Sequence, residues 1–305
     1  MSTPGCTKDT CPPSASIYGY RASLPASIIF LVIFAISGIL HLAIARRTWF
    51  FACVMAIGCA FEVLGYIAKL LLWNDPFSDV GFKISVVCLT LAPAFFSAAI
   101  YWTLKHLTLT IDPNLNRFNP SWYTWIFISC DIFSIVLQAI GGGVGAAATS
   151  QSQLDVSTGL LITGLSTQVA TLLAFGGCAA DYGLRVWRRG TSNSIVNFKL
   201  FLTALAVAYL MILLRCAYRV AELSKGWGSD NTILREQSLF IGLDSVPCAL
   251  ATIVLNIWHP GHHFMRREGF QDKTIETSSV HNAALERKES EGAFGGSVQA
   301  SRSLE

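Results

Sequence analysis

Charge is scarce in this chain. Asp, Glu, Lys and Arg together make up 13% of its 305 residues, against about 25% in an ordinary soluble domain. That scarcity argues against a water-soluble globular fold. No Gly-x-x-x-x-Gly-Lys-Ser/Thr loop is present, so the chain carries no phosphate cradle for ATP, and any active transport must draw on a gradient or on another protein. No Asn-x-Ser/Thr sequon with a permitted middle residue occurs, which leaves no N-glycosylation site. The first 23 residues are polar and Pro-rich and lack the basic n-region and apolar h-region of a cleavable signal peptide. The net charge of +3 is too small to suggest a nucleic-acid partner, and none is expected.

Apolar sequence is what the chain has in excess. Hydrophobic residues make up 52% of it and the mean hydropathy is +0.50. A helix needs about 20 apolar residues to cross the hydrocarbon core. Seven stretches meet that length, near Leu24–Ala45, Trp49–Leu72, Ile84–Leu107, Trp122–Ala148, Ser157–Tyr182, Phe198–Val220 and Gln237–Trp258. A short polar loop, Thr149–Val156, is expected between the fourth and fifth. The expected fold class is therefore all-α: a polytopic membrane protein with a seven-transmembrane-helix bundle.

Orientation follows from where Lys and Arg fall in the connecting segments. One side holds Arg46, Arg47, Lys105, Arg117, Arg185, Arg188, Arg189, Lys199, Arg266 and Arg267; the other holds Lys8, Arg21, Lys83, Lys225 and Arg235. Ten against five makes the first side cytosolic. The expected organisation is an extracellular N-terminal segment over residues 1–23, a membrane domain over 24–260 and a cytosolic tail over 261–305. The tail is polar and lacks apolar periodicity, as a disordered segment does. Its Thr274, Thr277, Ser278 and Ser279 are candidate phosphorylation sites, or simply part of a solvated tail.

Seven of the nine cysteines (Cys53, Cys59, Cys88, Cys130, Cys178, Cys216, Cys248) lie in apolar runs and read as small apolar filler. Cys6 and Cys11 lie in the N-terminal segment, where an extracellular location permits a disulfide between them.

Ionisable residues inside apolar helices are costly and face the bundle interior or a water-filled cavity. Glu62, Gly65, Tyr66 and Lys69 follow i, i+3, i+4, i+7 spacing and share one face of helix two. Asp131 and Gln138 are seven residues apart on helix four, and Gln168 sits near the middle of helix five. Arg215, Arg219 and Glu222 share a face of helix six. Glu236 stands at the outer end of helix seven, with Asp244 about two turns deeper. The acids Glu62, Asp131 and Asp244 match the bases Lys69, Arg215 and Arg219, so an interior ion-pair network is expected. Such a network either fixes helix packing or lines a route for a polar or amphipathic ligand. So many charges exceed what packing requires, since small residues and neutral hydrogen bonds serve that purpose. Gly141, Gly142, Gly143 and Gly145 of helix four and Gly176-Gly177 of helix five suit close helix contact, or a flexible outer end of helix four. Pro93 and Pro247 are expected to kink helices three and seven and to free nearby carbonyls.

The same residues carry a resemblance. In order along the chain stand Glu62-x-x-Gly65-Tyr66-x-x-Lys69; Leu91-Ala92-Pro93 with Ala98-Ala99 and Tyr101; and Asp131, Ser134, Gln138 and Gly141-Gly142-Gly143. There follow Gly164-Leu165-x-x-Gln168; Arg215-x-x-x-Arg219-Val220-x-Glu222; and Glu236, Asp244 and His259-Pro260-Gly261. From about Tyr18 to Gly261 the chain resembles the fungal lipid-translocating exporter family, seven-helix proteins that include aminocholesterol-resistance and sphingoid long-chain base exporter-like members. It departs from the family's pattern at Lys69, where Arg is expected, and at Phe240, where Tyr is common. Lysine lacks the bidentate fork of arginine. The resemblance implies a plasma-membrane protein, not an enzyme, that exports or flips amphipathic lipids and confers resistance to toxic lipid-like compounds. A sphingoid base carries a cationic amine and hydroxyls. On the polar placement alone, Glu62 or Asp244 is the candidate holder of the amine, and Gln138 and Gln168 of the hydroxyls.

Two other classes compete. Seven helices with an outside N-terminus is receptor topology, but Lys105-His106-Leu107 stands where a G-protein-coupled receptor has Asp-Arg-Tyr. Helix seven lacks both Asn-Pro-x-x-Tyr and the lysine that a retinal protein needs. A lipid sensor without those motifs stays open. An intramembrane metal hydrolase needs three or four ligands; His41, His106, His259, His262 and His263 gather toward the cytosolic side but read as interfacial histidines. No metal and no cofactor are expected.

Overall fold

The computed structural model describes residues 8–45, 48–111, 120–188, 196–226 and 231–259. These form seven long helices and no strand among the described residues: α1 (Leu24–Ala43), α2 (Trp49–Asn74), α3 (Asp79–Ile111), α4 (Pro120–Ala147), α5 (Gln151–Arg188), α6 (Val196–Ser224) and α7 (Gln237–Ile257). All seven are long and apolar enough to cross a membrane. In hydrocarbon every backbone polar group must be satisfied within the segment, and the helix does that locally.

Each helix packs on its neighbour in sequence, α7 returns to pack on α1, and α3 also reaches across to α6. The helices thus close a ring with α3 as its most enclosed member: 72% of the apolar stretch of α3 is buried, against 28% for α4. The polar positions of α2, α3, α6 and α7 consequently converge at the centre.

The helices run past the apolar stretches that define them. At about 1.5 Å per residue, the 38 residues of α5 extend well beyond a hydrocarbon core about 30 Å thick. Its start corrects the expectation of a loop over Thr149–Val156. The Ser150 Oγ accepts from the Gln153 N–H at 3.4 Å, while Gln153 Oε1 accepts from the N–H groups of Thr149 (2.8 Å) and Ser150 (3.3 Å). This reciprocal capping box starts the helix in polar sequence. The Ser150-x-x-Gln153 signature is visible in the chain, although hydropathy passes over it.

Close approach of α4 and α5 depends on two glycines. Ser157 Oγ donates to the Gly141 carbonyl at 2.7 Å, and a Cβ on Gly141 would stand 3.0 Å from the Ser157 carbonyl. A Cβ on Gly164 would stand 2.9 Å from the Ser134 carbonyl. Helix α3 continues through Pro93. In α7 the α-helix gives way to a π turn over Ile241–Ser245, two residues before Pro247.

The N-terminal segment is folded onto the bundle. Tyr18 and Ala22 are buried against Leu72 and Leu234, and the Tyr18 hydroxyl lies 3.2 Å from Ser85 Oγ. Arg21 Nε donates to the Trp73 carbonyl at 2.7 Å, and Arg235 Nη2 to the Ser14 carbonyl at 2.6 Å. Burial pushes the Tyr18 phenol well above its ordinary range. Cys11 is disulfide-bonded and the seven helical cysteines are free. Its expected partner Cys6 lies outside the described residues. So do the tail over 260–305 with Thr274, Thr277, Ser278 and Ser279, and the basic residues Arg46, Arg47, Arg117, Arg189, Arg266 and Arg267.

Candidate functional site

The centre of the bundle is a charge cluster organised around Arg215, whose side chain is wholly buried. Arg215 lies on the inner face of α6. Its Nε donates to Asp244 Oδ1 at 3.0 Å, its Nη1 to Glu62 Oε1 at 2.5 Å and Cys248 Sγ at 2.7 Å, and its Nη2 to the Leu89 carbonyl at 2.6 Å. One turn on, Arg219 Nε donates to Asp244 Oδ1 at 2.6 Å, its Nη2 to Asp244 Oδ2 at 3.2 Å and its Nη1 to Glu222 Oε2 at 2.7 Å. Asp244 therefore receives both guanidinium groups. The π turn that carries it sits where α7 faces α6, a common placement for this irregularity at working sites.

Pro93 explains the Leu89 contact. Proline has no N–H, so the carbonyl four residues earlier loses its helical donor; Arg215 takes that donor's place. The sequence signals the freed carbonyl but not its partner. It gives no such signal for Cys248, which reads as filler and instead contacts Arg215 and, at 3.4 Å, Glu62.

Lys69 behaves differently from the expected ion-pair member. It is 3% exposed, and its Nζ has no hydrogen-bond acceptor. The ammonium instead lies over the Tyr18 ring at 3.8 Å and the Phe240 ring at 4.3 Å. The third acid of the cluster is Glu222, not Asp131, so Glu62, Glu222 and Asp244 stand with Lys69, Arg215 and Arg219. Tyr66, between Glu62 and Lys69 on α2, has a buried hydroxyl that faces the buried hydroxyl of Ser245 on α7. Glu236 is exposed; its carboxylate accepts from the Ser238 hydroxyl, apart from the cluster.

Asp131 forms a second polar locus between α3 and α4. It is 2% exposed. Ser97 Oγ donates to its Oδ2 at 2.6 Å, the Tyr101 hydroxyl also stands within its reach, and it pairs with no cation among the described residues. One turn away on the two helices lie Tyr101 and Phe127, which form an aromatic trio with Phe175 at centroid separations of 4.3 to 5.8 Å. Further along α4, Gln138 Nε2 donates to Gln168 Oε1 at 3.1 Å. Gln138 Oε1 and Gln168 Nε2 are left without partners.

His41, near the end of α1, and His259, just past the end of α7, are both fully buried, with ring centroids 5.8 Å apart, while His106 is half-buried. His262 and His263 lie outside the described residues. Among the described residues no group of three or more His, Cys, Asp or Glu is placed to hold a metal.

The family model for RTA1 like protein matches residues 55–267, which span α2 to α7 with every helical member of both polar loci. The chain belongs to the RTA1-like family. Sphingoid long-chain base transporter RSB1 of Saccharomyces cerevisiae is 31% identical over 296 residues, covering 83% of this chain and 76% of the relative. Probable lipid transporter atnI of Emericella nidulans is 24% identical, covering 81% and 68%. Protoporphyrin uptake protein 1 of Saccharomyces cerevisiae is 29% identical, covering 66% and 65%. No solved structure matches.

Proposed function

We propose that this RTA1-like chain is a multi-pass membrane transporter that exports amphipathic lipids, with sphingoid long-chain bases as its substrate class. We place it in the plasma membrane with its N-terminus outside and its tail in the cytosol, and assign it no catalytic step. Family membership and the names of its relatives support lipid transport; the excess of Lys and Arg on one side supports the orientation.

The observation that carries the substrate class is Asp131. Of the two acids first considered for the amine, Asp244 has both oxygens committed to arginines, and Glu62 keeps only Oε2 free. Asp131 offers a buried carboxylate oxygen with no competing cation, beside aromatic rings of the kind that favour ammonium groups. Gln138, two turns away, is about 10 Å along the helix. The adjacent amine and hydroxyls of a sphingoid headgroup cannot span that distance at once. The face Asp131–Ser134–Gln138 therefore acts as successive stations: the carboxylate holds the amine, and the amides of Gln138 and Gln168 take the hydroxyls. The Arg215 cluster holds the helices around this route.

The test is efflux of labelled phytosphingosine from yeast lacking its own sphingoid-base exporter. Cells carrying the wild-type chain release label faster and survive loading; cells with Asp131→Asn, matched for surface level, do not. Equal efflux from Asp131→Asn removes the amine station. No efflux from the surface-located wild type moves the function to lipid sensing.

A further inference from the structure

Four acids are buried among the described residues: Glu62, Asp131, Glu222 and Asp244. Three of them have an arginine. Glu62 and Asp244 meet Arg215, while Asp244 and Glu222 meet Arg219. Asp131 is left over, and the elements packed around it bring it no cation. Helix α4 packs chiefly on α3 and α5. From α3 come two buried hydroxyls, that of Ser97, which donates at 2.6 Å, and that of Tyr101. From α5 comes the Phe175 ring, 4.3 Å from the Tyr101 ring. From α6 the Cys216 thiol interacts with the carboxyl, but its neighbour Arg215 is committed to Glu62 and Asp244. On α4 itself the neighbours are Cys130 and Ser134, and the Ser134 hydroxyl donates to the Cys130 carbonyl at 3.0 Å. The phenol and the thiols bring no positive charge in any protonation state.

Hydroxyls suit a carboxyl group in either charge state. They donate to a carboxylate and accept from a carboxylic acid. They do not supply the positive charge that an ionised acid needs in so dry a place. An acid without a counter-ion at that depth is therefore kept neutral, either by a proton or by a cation lying against it. The two exclude one another, because the cation needs the negative oxygen that the proton neutralises. The same carboxyl is the amine station of the function proposed above, and this inference rests on that reading. The chain has no phosphate cradle for ATP, so uphill export needs another source of energy.

We propose that Asp131 exchanges a proton for the ammonium group of the substrate, which makes the protein a proton–amine antiporter. Without substrate, Asp131 is a carboxylic acid. Where the amine enters, the O–H bond breaks, the proton passes to water, and the carboxylate so formed pairs with the ammonium. Where the amine leaves, a proton from water rebuilds the O–H bond. The locus holds one positive charge throughout, so no bare carboxylate is left inside the bundle. One proton moves in for each amine moved out, and a more acidic exterior drives export. Ser97 and Tyr101 position the carboxyl in both states.

Proton release on binding tests the exchange without requiring transport. The probe is an N,N,N-trimethyl sphingoid base, whose permanent charge neither gives nor takes a proton. It is added to the purified full-length protein in neutral detergent, weakly buffered on the acid side of neutrality, with a pH-indicating dye. The wild type releases about one proton per amine bound, and its affinity rises about tenfold per unit of pH, as linkage between one proton and one ligand requires. The uncharged N-acetyl sphingoid base releases none and binds without pH dependence. Asp131→Asn releases no proton with either probe, and Asp131→Glu keeps the exchange. Should Asp131→Asn fail to fold, infrared spectroscopy of the wild type carries the test: the carbonyl stretch of a protonated carboxylic acid is present in the free protein and lost when the trimethyl base binds. Binding of the charged probe with no proton release and a flat pH profile overturns the exchange and leaves the amine station intact. Proton release unchanged in Asp131→Asn, or the same pH dependence for both probes, also overturns it. No binding of the charged probe to the wild type removes the amine station itself, and the exchange with it.

Discussion

Replacing Arg215 with leucine removes a cation that contacts Asp244, Glu62, Cys248 and the Leu89 carbonyl. Asp244 keeps Arg219, but Glu62 is left as a buried carboxylate with no cation. Breaking a buried pair by removing one partner costs about 3–5 kcal/mol, mostly from the charge left behind. Removing Glu62 as leucine costs less, about 1–3 kcal/mol, because Arg215 retains Asp244. The double variant leaves Asp244 and Glu222 with Arg219 and Lys69, so charge is balanced again. Apolar replacement of a whole buried pair is often close to neutral. The contacts of Arg215 to Asp244, Cys248 and the Leu89 carbonyl stay lost in the double variant, so it should be more stable than the summed single effects by only about 2–3 kcal/mol, at the upper end of couplings measured between contacting residues. Reversible unfolding of the four proteins in bicelles measures this cycle. Additive costs, with a coupling below about 0.5 kcal/mol, refute the reading that Arg215 and Glu62 form a coupled buried pair.

Asp131→Asn keeps the size of the side chain and an acceptor for Ser97, so it should leave surface level near wild type while abolishing phytosphingosine efflux in the cell assay. Gly164→Val places a Cβ against the Ser134 carbonyl, 2.9 Å away, and forces α4 from α5; a loss of about 1–3 kcal/mol should appear as reduced folded yield in detergent. Asn231 donates to the carbonyls of Glu222 (2.7 Å) and Gly226 (2.8 Å) and accepts from the Leu234 N–H at 3.1 Å. Asn231→Ala should therefore cost about 1–3 kcal/mol and speed amide exchange at Leu234. An epitope at the N-terminus should be reached by antibody in intact cells, and one at the C-terminus only after permeabilisation; the reverse pattern overturns the orientation.

The seven spans were legible because length and hydropathy are properties of single segments, and backbone satisfaction in lipid leaves the helix as the only solution for each. The inner faces were legible for a similar reason. Residues at i, i+4 and i+7 stay together on any helix, so Glu62, Tyr66 and Lys69, and likewise Arg215, Arg219 and Glu222, were grouped before any packing was known. Pro93 announced a freed carbonyl by its missing N–H. The ends of α5 were misjudged, since hydrogen bonding and a capping box carry a helix into polar sequence where hydropathy stops.

Partnership between helices was a different matter. Asp131 and Glu222 are both acids at bilayer depth, and nothing local says that Glu222 joins the arginines while Asp131 stands with Ser97 and Tyr101. Nor does spacing show that Lys69 rests on Tyr18 from the N-terminal segment and on Phe240 from α7. Those outcomes depend on the rotation of each helix about its axis and on its vertical register against its neighbours. Both are decided by the packing of all seven helices together, through contacts such as Gly141 on Ser157 and the π turn that carries Asp244. The sequence by itself determined which residues are inside; only the tertiary structure decided which of them meet.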